Sequence, residues 1–563
     1  MAEQSRPPSV TPGTDTATGL SADTTAAGAD ATAGNEERQR ITGRAGIVAA
    51  GTLFSRLLGL VRDQAIAAIF SRAATDAFFV AFTIPNVLRQ LLAEGAVQSA
   101  VLPVLTRIRE REGDATARSA FRALRGLSLS VLTLVTILGV WFAPELVSLF
   151  AGGFRAHEGQ YERTVQLTRW VFPYIFFMGT AALGVAALNT HKRFVVTAFA
   201  PALLNVAFIA CAFVMTGPLA ARGVDPTLAL AAGALIGGVL QVVAQWPSLK
   251  AIGYLEMPRL NLRNPGVQSA LARMGPVLIG IGVYYLDVVI ARRLLSEQDV
   301  GAQSYFGWAL RLCDFPQGIF VMALQTATLP SLAALAARGD HAELGRTFAF
   351  GMRLALFVGI AATVLVAALA EPLVVLIFER GEFDAVSSRE TARALLAQGL
   401  GIWMVAAVRQ LVGVYYALGD TRTPVLVAAF DLLVFIALAL SLRAPFGHVG
   451  ISLAVSGASL AQMALLWWLL RRKLQTLHTR EIALSMLKTC AAALPAAWLA
   501  HRVATWLEPP AGSSGLDRAL PGLAGSVLFG IVFLIGARLL RSNELETITS
   551  ALKRLKQRRS RRG

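Results

Sequence analysis

The sequence predicts an all-α polytopic membrane protein of about fourteen transmembrane helices, arranged as two six-helix pseudo-symmetric lobes plus a C-terminal helix pair. Three observations carry this expectation. Hydrophobic residues form 55% and charged residues only 15% of the 563-residue chain, whose mean hydropathy is +0.57, more apolar than a chain dissolved in water needs. Apolar runs of about 20 residues, the length that crosses a hydrocarbon core of about 30 Å, recur from residue 45 to residue 541. The chain also matches itself at an offset near 228.

In chain order, residues 1–43 are rich in Ala, Thr, Ser and Gly without an apolar run of signal-peptide length, and read as a disordered cytoplasmic extension. The first lobe, 44–255, holds helices near 45–70, 74–106, 124–150, 166–189, 196–216 and 226–248. The second, 256–473, holds helices near 272–295, 302–335, 347–378, 391–418, 424–443 and 449–471. A final pair near 482–503 and 518–541 fills 474–541, and residues 542–563 are a basic cytoplasmic tail. In the repeat, Gln98, Leu102-Pro103, Gly113-Asp114 and Phe121 answer to Gln325, Leu329-Pro330, Gly339-Asp340 and Phe348, and Gly184-Val185 answers to Gly413-Val414. A period of six helices keeps both halves in one orientation, an architecture of transporters that places the site between the halves.

The net charge of +17 resides mainly in loops on one side and in the tail. Loops after even-numbered helices hold roughly 21 Lys/Arg against roughly 13 elsewhere, among them Arg107, Arg109, Arg111, Arg118, Arg471, Arg472 and Lys473. The positive-inside rule then puts those loops and both termini on the cytoplasmic side of the membrane and leaves nucleic acid without a role. The tail residues Lys553, Arg554, Lys556, Arg558, Arg559, Arg561 and Arg562 fit a surface helix on anionic lipid or a solvated segment that only fixes topology. Cys211, Cys313 and Cys490 have no CxxC spacing, so neither a disulfide framework nor a zinc site is indicated. No Gly-x-x-x-x-Gly-Lys-Ser/Thr loop occurs, which speaks against an ATP-driven pump.

Charge inside a span costs about 2.5–3.5 kcal/mol on insertion scales, so such residues face an interior and mark function by default. The first helix carries Arg56, Arg62 and Asp63, and the second carries Asp76, Arg89 and Glu94, with Arg89 one turn beyond Pro85. Arg311 and Asp314 precede Pro316 in the eighth helix, and Arg409 lies mid-span in the tenth. Arginine outnumbers carboxylate, which argues for a cationic cavity; a guanidinium fork meets two oxygens at once and suits a diphosphate. Local pairing offers a plainer account, Arg62 with Asp63 and Arg311 with Asp314. Arg56 and Arg62 stand about 120° apart on an ideal helix, so both line one cavity only if it is wide or the helix breaks near Gly59. Arg72 and Arg155 read as ordinary loop charges.

These residues make the chain resemble the MurJ/MviN family of lipid II flippases, within the multidrug/oligosaccharidyl-lipid/polysaccharide exporter superfamily. The match is strongest over Phe54–Asp63, Ala74–Phe82, Pro85-Asn86, Arg89 and Ala93–Ala96, with support from Phe199-Ala-Pro201 and Asn205, Gly238–Gln241, Met274-Gly-Pro276, Phe315-Pro316 and Asp420 with Thr423-Pro-Val425. The resemblance implies a non-enzymatic carrier of lipid-linked peptidoglycan precursor with a final helix pair bordering a groove for the polyprenyl tail. It implies substrate-binding residues at Arg56, Arg62, Arg89 and Arg311 with acidic neighbours Asp63, Asp76 and Glu94, to which the mid-span position adds Arg409. The partners it implies are lipid II, membrane lipids and cell-wall synthesis enzymes. No cofactor is expected beyond coupling to sodium or a proton, with Asp287 and Asp431 as the metal candidates and Thr423, Ser452 or Ser456 as accompanying hydroxyls; a proton site, or two acids facing Arg292 or Arg293, is the equally open alternative. The extension is longer than is usual for the family, Leu310 stands where an acid often precedes the eighth-helix arginine, and Asp287 and Asp431 fall about one turn early. Exporters of other polyprenyl-diphosphate saccharides, a multidrug antiporter and a scaffold acting through the basic tail are the alternatives.

Overall fold

The computed structural model describes Val48 and residues 50–91, 97, 100–474, 477–510 and 515–560, and is helical with no strand among the described residues. The first lobe comprises α1 (50–69), then α2 (Arg72–Arg89) and α3 (Leu102–Glu112), which form the second span, α4 (Asp114–Trp141) and the short α5 (Ala143–Ala151). It ends with α6 (Gln160–Val171) and α7 (Tyr174–Thr190), which form the fourth span, α8 (Val195–Ala221) and α9 (Leu228–Ala251). The second lobe comprises α10 (Pro265–Leu295), α11 (Ala302–Pro316) with α12 (Met322–Ala337), α13 (His341–Phe378), α14 (Ala385–Gly399) with α15 (Ile402–Ala417), and α16 (Arg422–Lys473). The pair α17 (Thr479–Trp506) and α18 (Gly515–Leu539) precedes α19 (Asn543–Ser560). We call the face where α1 begins and α18 ends the terminal face, and its opposite the far face.

Local chemistry accounts for where the helices break. The third helix does not run over 124–150: it starts at Asp114 and stops at Trp141, because Phe142 leaves helical geometry (φ −88°, ψ 20°) and Pro144 opens α5 instead. Proline has no N–H to give a continuing ladder but fits a first helical turn. Helices eleven and twelve are joined through Gly447 (φ 57°, ψ −135°), a bend that a residue with a Cβ adopts only under strain. The Gly-Asp pairs of the repeat prove to be helix starts. Gly113 (φ 87°) and Gly339 (φ 71°) both turn the chain into the third helix of their lobe, where Asp340 accepts from the Glu343 N–H at 3.0 Å.

The lobes meet most fully near the far face. Ile66, Phe70 and Phe78 of the first share one buried cluster with Trp308, Phe378 and Phe383 of the second, and Phe79 meets Trp308 edge to face at 4.7 Å. The α10 helix leans across both lobes: its start packs on α3 and α4, and its end on α5 and α16. The final pair packs on α13. At the terminal face, Arg353 of α13 reaches Glu544 at 2.7 Å and Glu481 at 3.3 Å, tying α17 and the start of α19 to the second lobe.

Candidate functional site

A cavity of about 900 Å³ lies between the lobes. Arg56 and Arg62 of α1, Arg89 at the end of α2, Arg311 of α11 and Arg409 of α15 all line it. α1 stays helical through Gly59, so the width of the chamber, not a break, lets both its arginines reach the same void. Pro85 and Pro316 shape the helices that supply the other walls. Beyond Pro316 the ladder slips into a π-helical stretch, Gln317–Val321, and residues 90–91 and 100–101 beyond Pro85 are π-helical too. Such bulges recur at functional sites because they redirect side chains within a span.

The centre of the site is Asp63, 3% exposed. Its Oδ1 accepts from Arg62 Nε at 2.9 Å and Nη2 at 2.6 Å, and its Oδ2 pairs with Arg311 Nε of the opposite lobe at 2.7 Å. Arg62 Nη1 also donates to Asn205 Oδ1 at 3.1 Å, and Asn205 Nδ2 donates to the Ser55 carbonyl at 3.0 Å, fixing the fork from behind. Arg89 Nε donates to Asn86 Oδ1 at 3.0 Å, and Arg409 Nη1 lies 3.1 Å from the Met322 sulfur. Asp314 lies in the field of Arg311, Arg409 and Arg56. Among the described residues, five arginines thus stand about two carboxylates, and their balance is cationic.

Arg56 owes its place to Gly318: a Cβ there would overlap its guanidinium. Sequence reasoning did not single out Gly318 as a lining residue and named Asn86, Asn205 and Gln241 only as positions of the family match; for Gly318 the available signal was Pro316 immediately before Gln317-Gly318. Arg311 lines the cavity and does not make the local pairing weighed as its plainer account: its 2.7 Å ion pair is with Asp63 of the other lobe, not with its neighbour Asp314.

Asp76 is not brought to the cavity. At 1% exposure, its Oδ2 accepts from the Gly301 N–H at 2.6 Å and its Oδ1 from the Ser304 N–H at 2.8 Å and Oγ at 2.5 Å, so it caps α11 and clasps the lobes at the far face. Arg72 belongs to the same clasp and is not merely a loop charge. It pairs with Asp384 at 3.1 Å and donates to Tyr305 at 3.4 Å, while Glu382 N–H donates to the Ala68 carbonyl at 2.9 Å. Glu94 lies outside the described residues.

Asp287 and Asp431 stand together elsewhere, on the packed helices α10 and α16, close enough for their charges to interact. Each has one buried carboxylate oxygen without a hydrogen-bond partner among the described residues. The hydroxyls expected beside them are committed elsewhere: Thr423 donates to Asp420 at 2.6 Å, Ser456 to the Ala397 carbonyl at 2.7 Å, and Ser452 accepts from Gln398 at 3.1 Å. The two acids fit half of a hard-cation shell or a shared proton.

The lipid II flippase MurJ of Burkholderia cenocepacia is 34% identical over 75% of this chain and 82% of its own length. The probable lipid II flippase MurJ of Vibrio cholerae is 32% identical over 88% of this chain and 96% of its own. A solved lipid II flippase MurJ in an inward closed conformation superposes with a TM-score of 0.70 at 21% identity, covering 88% of this chain and 99% of that one. An inward-facing multidrug resistance MATE family transporter of the MOP superfamily has the same fold at a TM-score of 0.61 and 14% identity, covering 74% and 94%. The family model described as lipid II flippase MurJ matches residues 66–508, and the chain belongs to that family.

Proposed function

We propose that this chain carries lipid II from the inner to the outer leaflet of a bacterial inner membrane by alternating access, with both termini in the cytoplasm. The observation that carries the reading is Asp63 held between Arg62 and Arg311, one from each lobe, at 2.6–2.7 Å. A diphosphate offers more negative oxygens than one carboxylate and can engage both forks bidentately. Asp63 therefore acts as a placeholder that keeps the empty arginines in position and gives way when the substrate arrives. Arg56, Arg89 and Arg409 supply the surrounding positive potential.

With the termini cytoplasmic, the clasp of Arg72, Asp76 and Asp384 lies on the outer side and would close the cavity there, so that substrate enters from within. The apolar wall formed by Leu365, Leu373 and Ile377 of α13 backs onto the final helix pair and gives the polyprenyl tail a path. Each negative charge moved outward gains about 2.3 kcal/mol per 100 mV of interior-negative potential. Asp287 and Asp431 would hold a sodium ion or a proton, offsetting the adverse return of an empty cationic chamber. No bond of the substrate is made or broken; the enzymes that make and polymerise the lipid act on either side of this step.

The arginine excess weighs against a multidrug antiporter, whose cationic drugs need acids and aromatics. The test is transport of labelled lipid II in liposomes by the R62A, R89A and R311A variants, with and without an imposed potential and with sodium replaced. All three should lose flipping while remaining folded, and full transport by all three would reject the reading. Equal transport of an unrelated polyprenyl-diphosphate saccharide would instead favour a broader exporter.

A further inference from the structure

The two lobes are joined by a segment outside the helices, 254–264, which leads from the end of α9 to the start of α10 on the terminal face. Its backbone is seated along the flank of α4. The Arg259 N–H donates to the Arg122 carbonyl at 3.1 Å, Arg122 Nε donates to the Met257 carbonyl at 3.2 Å, and Arg125 Nη1 donates to the Glu256 carbonyl at 3.3 Å. Gly126 completes the seat, because a Cβ there would overlap the Arg259 carbonyl. Asn264 then accepts from the Gly266 N–H at 2.9 Å and caps α10.

The depth of that seat follows from the helices beside it. On α4, Asp114, Arg118, Arg122 and Arg125 are followed by an uncharged run from Gly126 to Trp141. On α10, Arg273 is the last charge before Asp287. Arg125 and Arg273 therefore mark where polar surface gives way to hydrocarbon, and the segment crosses α4 on that line.

Its exposed side chains are of two kinds. Met257 is 83%, Leu260 62% and Leu262 53% exposed, although this segment spans nothing. Arg259 and Arg263 are exposed too and make no ion pair among the described residues, while the one carboxylate of the segment, Glu256, is taken by Arg122 at 2.8 Å. Apolar side chains so far open mark a surface that something covers. At the edge of the hydrocarbon, with positive charge left uncompensated, the cover that fits is lipid: acyl chains receive the apolar groups, and phosphates lie level with the guanidinium groups.

We infer that residues 257–263 are an interfacial anchor that docks on anionic phospholipid of the leaflet at the terminal face, with Met257, Leu260 and Leu262 among the upper acyl carbons and Arg259 and Arg263 on lipid phosphates. The connection between the lobes is thereby moored to the bilayer, and the lobes rock about a link held at its surface. The inference does not depend on what the cavity carries.

The experiment places a nitroxide through L260C in the full-length protein freed of its native cysteines (C211A, C313A, C490A), in nanodiscs of phosphatidylcholine alone or mixed with phosphatidylglycerol. Collisions of the label with dissolved oxygen, which concentrates among acyl chains, are compared with collisions with a neutral, water-soluble nickel chelate. Phosphatidylglycerol should raise the ratio of oxygen to nickel accessibility about fivefold. R259Q/R263Q should abolish that difference between the two lipids without lowering the melting temperature, since the two guanidinium groups hold nothing else in the protein. A label open to the nickel chelate in both membranes would overturn the inference and mark the segment as a surface for a protein in the aqueous phase. Protection that is equal in both lipids, protection that survives R259Q/R263Q, or a clearly lower melting temperature of that variant would overturn it as well, by showing packing within the protein instead of contact with phosphate.

Discussion

Two aspartates thirteen positions apart, Asp63 and Asp76, link the lobes by opposite means. Asp76 is saturated: its oxygens are filled by N–H and O–H donors from the first turn of α11, and no ligand could improve on them. Asp63 is shared between two guanidinium groups that line an open chamber and have further donors to offer. A carboxylate fully supplied with donors holds a closure. One surrounded by surplus cation holds a binding site ready and can be outcompeted. On the proposed reading, the same residue type on adjacent helices would serve a gate in one place and a ligand site in the other.

The largest test of that contrast is D76A. It strips acceptors from buried Gly301 and Ser304 donors and should cost on the order of 3 kcal/mol or more, seen as a lower melting temperature and as new reactivity of a cysteine placed at Phe82 toward a thiol reagent applied from the far face. Unchanged melting would mean that the clasp does not hold the closure. D63N should act in the opposite sense on ligand, binding polyprenyl diphosphate about tenfold more tightly because the competing charge is gone, while slowing transport because the empty arginines lose their placeholder. Weaker binding would show that Asp63 contacts the substrate directly. G318A should displace Arg56 and raise the half-saturating lipid II concentration severalfold, with the far-face reactivity unaltered.

The smallest effect comes from outside the membrane. Burial by itself would raise the Asp420 carboxyl, but hydrogen bonds from Lys473 and Thr423 outweigh it and hold the group below its ordinary value. At Asp225, bonds from Thr227 and Arg163 likewise overcome burial. Both groups therefore take up protons more readily unfolded than folded. Their stabilisation is present above the unfolded value near pH 4 and declines as pH falls below it. D420N should flatten the acid limb of the melting curve slightly, and an unchanged limb would exclude this pair as its source.

The helical spans, the two lobes and the arginine-rich interior were legible because each is written in local pattern: apolar run length, a repeat in register, and charges where lipid forbids them. The pairing of those charges was not. Spacing on one helix suggested Asp314 for Arg311, but the partner is Asp63, supplied by the other lobe. Asp76 is an in-span charge like its neighbours, and its partners are mostly backbone N–H groups, which no side-chain pattern reveals. Arg72 looked like a loop charge because its partner Asp384 is 312 residues away. Gly318 matters for what it lacks, and that becomes visible only once Arg56 has a position. The break at Phe142 could have been read, since Pro144 lies inside the run taken for one helix.

The link from Arg353 to Glu481 and Glu544 has a mechanical consequence. Because it fastens the end of the chain to α13, the closing segment travels with one half of the machine and not with the hinge between halves. A fluorophore fused there would register rotation of that half alone, and a matching probe at the α4 start would make the stroke measurable as a change in distance.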